Sequence, residues 1–184
     1  AACPIDTRDI DDHTALHALC RYEGPRRDDD LYDLRRVDDR NAEDVEVCLQ
    51  LLVEAGADLE ARDTIGCTPL QVMAWYSNYN LGTEASLRLT SLLLRHGANV
   101  NAKNDRDLGS TLLHTAASFA HSSMVSLLLK AGAAVNALTR DFRASVPLSE
   151  PPATPLDKAA GYGRRTNLPI LLRAGAVLAR YQLR

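Results

Sequence analysis

Two nearly identical phrases constrain this chain more than any other feature of its sequence. SLLLRHGANVNA occupies residues 91–102, and SLLLKAGAAVNA occupies residues 126–137, 35 positions later. A single globular core gives no reason for such a repetition, whereas a stack of similar units repeats its sequence every 20–50 residues or so. The sequence therefore predicts a protein built from stacked repeats.

Each predicted unit opens with a threonine and closes with a Gly-Ala turn. The threonine lies in the phrases HTALHALC, CTPLQVMA, STLLHTAA and ATPLDKAA, at Thr14, Thr68, Thr111 and Thr154. A threonine hydroxyl caps the first turn of a helix, and Pro69 and Pro155 follow at the position where proline is tolerated best. A leucine-rich second helix then ends at a glycine, where a left-handed C-cap is predicted: Gly56, Gly97, Gly132 and Gly175.

The predicted core comes from apolar residues of these helices. An apolar content of 46% with only 5% aromatic residues favours short packed helices over sheets. We expect the triplets 51–53, 92–94, 127–129 and 170–172 to be the buried faces of the second helices. We expect Cys20 and Cys48, which fall at small apolar positions of the repeat, to pack in the core.

The repeated phrases resemble the ankyrin-repeat family, whose unit is a turn–helix–helix of about 33 residues with the signature T-P-L-H-x-A. The resemblance runs from about residue 9 to the end of the chain. It implies an all-α fold, an ankyrin-repeat solenoid of four helix–turn–helix units with short β-hairpin fingers. It also implies a single domain over residues 1–184, with repeats at approximately 9–62, 63–103, 104–137 and 138–184.

The spacing between anchors predicts insertions in the first two repeats. Thr111 and Gly132 are 21 residues apart, as the family pattern requires, whereas 42 residues separate Thr14 from Gly56. We therefore expect insertions at approximately 21–44 and 77–84, and an extended hairpin at approximately 138–153. The first insertion is highly charged and reads as a solvated loop; the alternative is an extra helical turn that buries Leu31, Leu34 and Val37.

The sequence contains no convincing catalytic, cofactor-binding or metal-binding motif. His17 and His114 occupy the same repeat position as Gln71 and Asp157, and the resemblance implies that this side chain hydrogen-bonds the turns of neighbouring repeats. His13 and His17, four residues apart, could form a metal pair, but Thr14 is predicted to cap the helix between them. We therefore expect a non-enzyme with no cofactor and no metal.

An aromatic residue lies eight positions after the capping threonine in every repeat. The resemblance implies that this position and the preceding one contact partners, together with the hairpin tips. The predicted partner-binding residues are Tyr22, Trp75, Tyr76, Ser118, Phe119 and Tyr162. Two alternatives are that the aromatic residues pack against the following helix, or that Trp75, Tyr76 and Tyr79 form a cage for methyl-lysine with Glu84 nearby.

The charge distribution and the cysteines indicate which kinds of partner and which cell compartment to expect. Residues 1–63 hold 18 acidic and 8 basic side chains, and residues 138–184 hold 3 acidic and 8 basic. This polarity disfavours a nucleic-acid binder, and no apolar run is long enough for a membrane span. The four cysteines, Cys3, Cys20, Cys48 and Cys67, lack CxxC spacing and predict reduced thiols in an intracellular (cytoplasmic or nuclear) protein.

The function predicted from these features is the non-catalytic binding of a partner protein or peptide by a monomer, through the concave groove of the stack and the hairpin tips. One alternative is a regulatory or autoinhibitory segment of a larger protein, which the missing initiating Met allows. Another is salt-sensitive self-assembly through the acidic N-terminal and basic C-terminal ends. The resemblance also implies asparaginyl hydroxylation, for which Asn101 and Asn136 match the modified position.

Overall fold

A computed structural model describes residues 5–21, 39–76, 83–104, 106–119, 121–139 and 152–179, with the side chains of 39–42, 74–76 and 83 left out. The described part is mostly helical. The helices are α1 (Ala15–Cys20), α2 (Asp39–Glu54), α3 (Pro69–Tyr76), α4 (Thr83–Arg95), α5 (Leu112–Phe119), α6 (Ser122–Lys130), α7 (Pro155–Gly161) and α8 (Leu168–Arg173). Strands β1 (Lys103–Asn104) and β2 (Ser110–Thr111) form a small antiparallel hairpin before α5.

The chain divides into two compact units, residues 1–99 and 100–184. In unit 1, α1 packs on α2 and α3, and α4 packs on α2 and α3. In unit 2, α5 packs on α6 and α7, and α8 packs on α6 and α7. Each unit therefore contains two helix pairs in which first helix lies beside first helix and second beside second. This is the all-α arrangement of stacked helix–turn–helix repeats with a short hairpin that the sequence predicted.

The helix boundaries follow the local sequence signals. Pro69 and Pro155 are the first residues of α3 and α7, and Thr154 accepts a hydrogen bond from the backbone of Asp157 at 3.2 Å. The four glycines that follow the second helices have φ between +86° and +95°, a region that L-residues rarely occupy. The predicted threonine starts and left-handed glycine ends are thus confirmed.

One pattern of hydrogen bonds closes the finger before each first helix. In unit 1, Asp9 N donates to His13 O at 3.0 Å and Asp63 N donates to Cys67 O at 3.1 Å. In unit 2, β1 pairs with β2, and Thr139 N donates to Ala153 O at 3.1 Å. The last of these bonds closes a connection whose interior, 140–151, lies outside the described residues.

The leucine triplets are less buried than the sequence analysis predicted. Leu128 and Leu171, the middle residues of their triplets, are fully buried, but Leu51 and Leu172 are more than half exposed. Consecutive residues of a helix point about 100° apart, so three in a row cover too wide an arc to face one side. In α2 the core residues are instead Val45 and Leu49, which are four positions apart.

The prediction for Cys48 is wrong. Cys20 and Cys67 are buried, but Cys48 is exposed on α2. It directly precedes buried Leu49 and follows exposed Val47, so the helix turns its thiol away from the core. Burial raises the pKa of the Cys20 thiol strongly, which keeps that group protonated.

The second helices begin within or close to the predicted insertions. Helix α2 begins at Asp39, so the last residues of the segment assigned to 21–44 are helical. Helix α4 begins at Thr83, at the end of the segment assigned to 77–84. The proposed extra turn with Leu31, Leu34 and Val37 lies outside the described residues.

None of the helices in the described ranges is long and apolar enough to cross a bilayer.

Candidate partner-binding surface

Two aromatic rings meet where the first helices of unit 2 end. Phe119 is the last residue of α5, and Tyr162 directly follows α7. Because α5 and α7 lie side by side, equivalent positions of the two repeats come together. The ring centroids are 4.9 Å apart and the planes meet at 63°, an edge-to-face geometry. Tyr162 is nevertheless 54% exposed, so much of its ring is available to another molecule.

Arg164, two residues after Tyr162, hydrogen-bonds the end of α5. Its Nε donates to Ser118 O at 2.7 Å, and Asn167 Nδ2 donates to Ala117 O at 3.1 Å. The last carbonyls of a helix have no partner within the helix, so these two side chains satisfy the end of α5. Arg164 was not among the contact residues predicted from the sequence. We call Phe119, Tyr162 and Arg164 the aromatic cluster.

Ser118 does not have the accessibility that its predicted contact role requires. Its side chain is buried, and its hydroxyl donates to His114 O one turn earlier in α5 at 2.9 Å. Of the two predicted contact residues in α5, Phe119 is therefore partly exposed and Ser118 is buried, because neighbouring helix positions point about 100° apart.

The other predicted contact residues belong to unit 1. Trp75 and Tyr76 form the end of α3, the position that corresponds to Phe119 in α5, but their side chains are not among those described. Tyr22, just beyond the end of α1, lies outside the described residues, as does Tyr79 of the methyl-lysine alternative. Glu84, the acidic residue of that alternative, is exposed in the first turn of α4.

The two buried histidines link successive repeats. His17 Nδ1 accepts from Thr14 N at 3.2 Å, and its Nε2 lies 3.0 Å from Cys67 O of the next repeat. His114 has the same arrangement, with Nδ1 accepting from Thr111 N at 3.1 Å and Nε2 lying 3.1 Å from Ala153 O. An Nδ1 that accepts a backbone N–H carries no proton, so Nε2 must donate to the carbonyl.

Burial is the main reason why the pKa of each of these histidines lies below its ordinary value of 6.5. Both are therefore neutral at pH 7. The structural role implied for this repeat position is confirmed at both histidines, and a general-base role does not fit an Nε2 that already donates to a carbonyl.

Gln71 and Asp157 adapt the same position to other neighbours. Gln71 Oε1 accepts from Thr68 N at 3.0 Å, as the histidines accept at Nδ1. Asp157 Oδ2 accepts from Thr154 N at 2.8 Å and also from Ala179 N at 3.0 Å. An acceptor suits the last repeat, because Ala179 presents an N–H where His17 and His114 meet a carbonyl.

A second row of inter-repeat hydrogen bonds was not found by sequence reasoning. Asn101 Oδ1 accepts from Ala134 N at 2.8 Å, and Asn136 Oδ1 accepts from Val177 N at 2.9 Å. In unit 1, Glu60 accepts from Asn99 N at 2.8 Å. The amide groups of the two asparagines also donate to Gly132 O and Gly175 O. Both residues implied as hydroxylation targets thus hold the next Gly-Ala turn.

The polar cluster near His13 does not form a metal centre. His13 Nδ1 lies 3.2 Å from Asp9 Oδ2, and its Nε2 lies 3.9 Å from Asp63 Oδ2. Both nitrogens of the neighbouring His17 are engaged by Thr14 and Cys67. Across the part of the chain that the structure describes, no group of three or more His, Cys, Asp or Glu side chains could hold a metal ion.

The repeats of this structure match a known family. The family model described as Ankyrin repeats (3 copies) matches residues 40–139 and, in a second overlapping placement, residues 83–180. These matches cover α2 through α8, including the paired helices, the hairpin, the inter-repeat histidine His114 and the Gly-Ala turns. Together they span well over half of the chain, which therefore belongs to the ankyrin-repeat family.

Proposed function

We propose that this chain is a non-catalytic interaction module that binds a partner protein or peptide through the ends of its first helices and the tips of its fingers. Ankyrin repeats are generally protein-interaction modules and are typically non-catalytic. The observation that carries the proposal is the aromatic cluster, in which an edge-to-face pair leaves Tyr162 half exposed. Exposed tyrosines held by their neighbours are frequent binding hot spots.

The surroundings of the cluster hold it ready for binding. Phe119 supports the Tyr162 ring, and Arg164 is fixed to Ser118 O. The rows of hydrogen bonds between successive repeats fix the helices that carry these side chains. A surface that is ordered before binding loses little conformational entropy when a partner binds, so more of the contact energy remains as affinity.

The charge of unit 2 favours an acidic partner segment. Residues 100–184 hold 11 basic and 5 acidic side chains. Arg164 bonds to the carbonyl of Ser118, the residue before Phe119, and an arginine guanidinium has further N–H groups that can bind a carboxylate. We therefore propose a segment that places an apolar or aromatic side chain against Tyr162 and a carboxylate near Arg164. Its binding should weaken as salt increases.

Exposed isoleucines on the fingers of unit 1 support the proposed role of the tips. Ile10 is 98% exposed in the finger that Asp9 and His13 close, and Ile65 is 60% exposed in the finger that Asp63 and Cys67 close. Apolar side chains at the tips of two successive fingers can contact a partner with little loss of conformational entropy, because the closing hydrogen bonds already fix the backbone. We include Tyr22, Trp75 and Tyr76 in the proposed surface because they occupy the equivalent repeat positions of the sequence in that unit.

The compartment proposed for this interaction is intracellular. Cys48 is an exposed thiol on α2, and Cys20 is a buried one. An accessible thiol persists in a reducing compartment and is oxidised or paired in a secreted protein.

Affinity capture with matched variants tests the proposal. The wild-type chain and the Tyr162→Ala variant would be immobilised and exposed to extract of the source cells, and retained proteins identified by mass spectrometry. His96→Ala is the control, because His96 is exposed and directly follows the second helix α4. We expect the wild-type chain and the control to retain a protein that the Tyr162→Ala variant does not retain. Equal retention by all three would show that the aromatic cluster is not the binding surface.

A further inference from the structure

Helix α2 exposes an apolar stripe that the proposed function does not use. Val47 is 58% exposed and Leu51 is 60% exposed. They are four positions apart, so they lie on one face, away from the buried pair Val45 and Leu49. Neighbouring Cys48 is also exposed. The side of α2 that does not contact α1 and α4 is therefore a small apolar surface.

Acidic side chains border this stripe. Glu43 and Asp44 are exposed one turn before Val47, and Glu54 is exposed one turn after Leu51. We call these three acidic residues, together with Val47 and Leu51, the head face. It belongs to unit 1, and its charge matches the strongly acidic composition of residues 1–63.

The last helix of unit 2 carries a surface of the opposite charge. Leu172 in α8 and Val177 and Leu178 just after it are each more than half exposed. Arg173 is exposed at the end of α8. We call these four residues the tail face. Unlike the head face, it carries a basic residue, and the described residues 152–179 hold 4 basic side chains and 1 acidic one.

Each face has the apolar centre and charged border of a small interface. Two head faces would bring acidic residues together, and two tail faces would bring arginines together, so like charges oppose both symmetric pairings. A head face and a tail face are complementary in both charge and hydrophobicity. We propose that a second copy of this chain covers these surfaces, with the head face of one copy binding the tail face of another.

The chemistry of the two faces predicts how this association behaves. A head-to-tail contact is heterologous, so each copy retains one unused face and association continues beyond a dimer. The charged borders are exposed, so salt screens their attraction: the Debye length falls from about 30 Å at 0.01 M to about 3 Å at 1 M. The average molecular mass should therefore rise with protein concentration at low salt and return to that of a monomer at high salt.

Two folded variants that each lack one face provide the test. The head variant is Val47→Glu/Leu51→Glu, and the tail variant is Leu172→Glu/Arg173→Glu, so the two altered faces repel each other. All four side chains are exposed, so the helical circular dichroism signal of each variant should match that of wild type. Should either variant lose that signal, Leu51→Glu or Arg173→Glu alone replaces it. Sedimentation velocity of the full chain at about 0.01 M salt measures association.

We expect each variant alone to associate at least tenfold more weakly than wild type, because burial of even one leucine side chain changes an association constant by about that factor. Mixed together, the two variants should form a one-to-one dimer and no larger species. The only intact pair in the mixture is the head face of the tail variant with the tail face of the head variant.

Three results would overturn the proposal. A wild-type chain that stays monomeric at low salt and high protein concentration would exclude the association. Self-association retained by the tail variant or the head variant would show that the contact uses only one face or neither. A mixture of folded variants that contains no dimer, while wild type associates, would show that head and tail faces do not bind each other.

Discussion

Acidification should destabilise this protein through His17 and His114. Each imidazole is almost fully buried, accepts a backbone N–H at Nδ1 and donates from Nε2 to a carbonyl of the next repeat. A proton added at Nδ1 would remove the acceptor that the backbone N–H of Thr14 or Thr111 needs. Burial accordingly lowers the pKa of both histidines below 6.5 in the folded state.

The sign and the size of the effect follow from proton binding. The unfolded chain binds more protons than the folded chain at pH values between the lowered folded pKa and 6.5. The free energy of unfolding therefore falls as pH falls through this window and is constant, with respect to these groups, above it. At pH 5.5 an unfolded-state pKa of 6.5 sets an upper limit of about 1.4 kcal/mol per histidine, or ~3 kcal/mol for both.

The chain itself supplies the substitution for the test. Gln71 occupies the equivalent position of the second repeat and accepts from Thr68 N through its amide oxygen. Urea unfolding, followed by circular dichroism at pH 7.5 and pH 5.5, would compare wild type with His17→Gln/His114→Gln. The control His96→Gln/His121→Gln changes two exposed histidines. We expect wild type and the control to lose up to about 3 kcal/mol at pH 5.5, and the double glutamine variant to lose much less.

An unchanged pH dependence in the His17→Gln/His114→Gln variant would refute this reasoning. It would mean that other groups bind the protons on unfolding. A control variant that loses its pH dependence would refute it as well, because exposed imidazoles are solvated in both states.

Two further predictions concern residues whose burial differs from what the sequence predicted. Leu171→Ala should lower the free energy of unfolding by about 2–5 kcal/mol, and Leu172→Ala by less than about 1 kcal/mol, since Leu171 is fully buried and Leu172 is more than half exposed. Urea unfolding measures both values, and similar losses for the two variants would contradict the assigned burial. Exposed Cys48 should react with a thiol reagent in the folded protein, whereas buried Cys20 should react only on unfolding. Thiol titration of wild type against Cys48→Ala should therefore show one equivalent fewer in the fast phase, and an unchanged fast phase would contradict the exposure of Cys48.

The fold could be predicted because its signals are local and occur four times. Proline at the start of α7, glycine after α6 and the repeated threonine each act through the backbone within one turn. Position within the stack was harder to predict. Leu51 and Leu172 have the sequence of core residues, but both are more than half exposed. They lie on α2 and α8, the second helices of the first and the last repeat, and the sequence of one repeat does not show whether another repeat covers it.

The candidate site could be predicted only in part. Phe119 and Tyr162 were both among the predicted contact residues, and their rings meet because side-by-side helices bring equivalent positions together. Ser118 was mistaken for a surface residue because two adjacent helix positions were treated as one face. Arg164 was missed as a part of the cluster, since its contact with Ser118 O joins residues 46 positions apart and no repeat pattern encodes it.

Photocrosslinking at Tyr162 tests the central claim most directly. A photoreactive phenylalanine analogue would replace Tyr162 in one variant and exposed Val47 of α2 in a matched control. Each would be irradiated with the captured partner, and the mass of each adduct would distinguish the partner from a second copy of the chain. The account predicts a covalent adduct with the partner from position 162 and none from position 47. An adduct from position 47 alone would contradict it and would place the partner on the head face instead of the aromatic cluster.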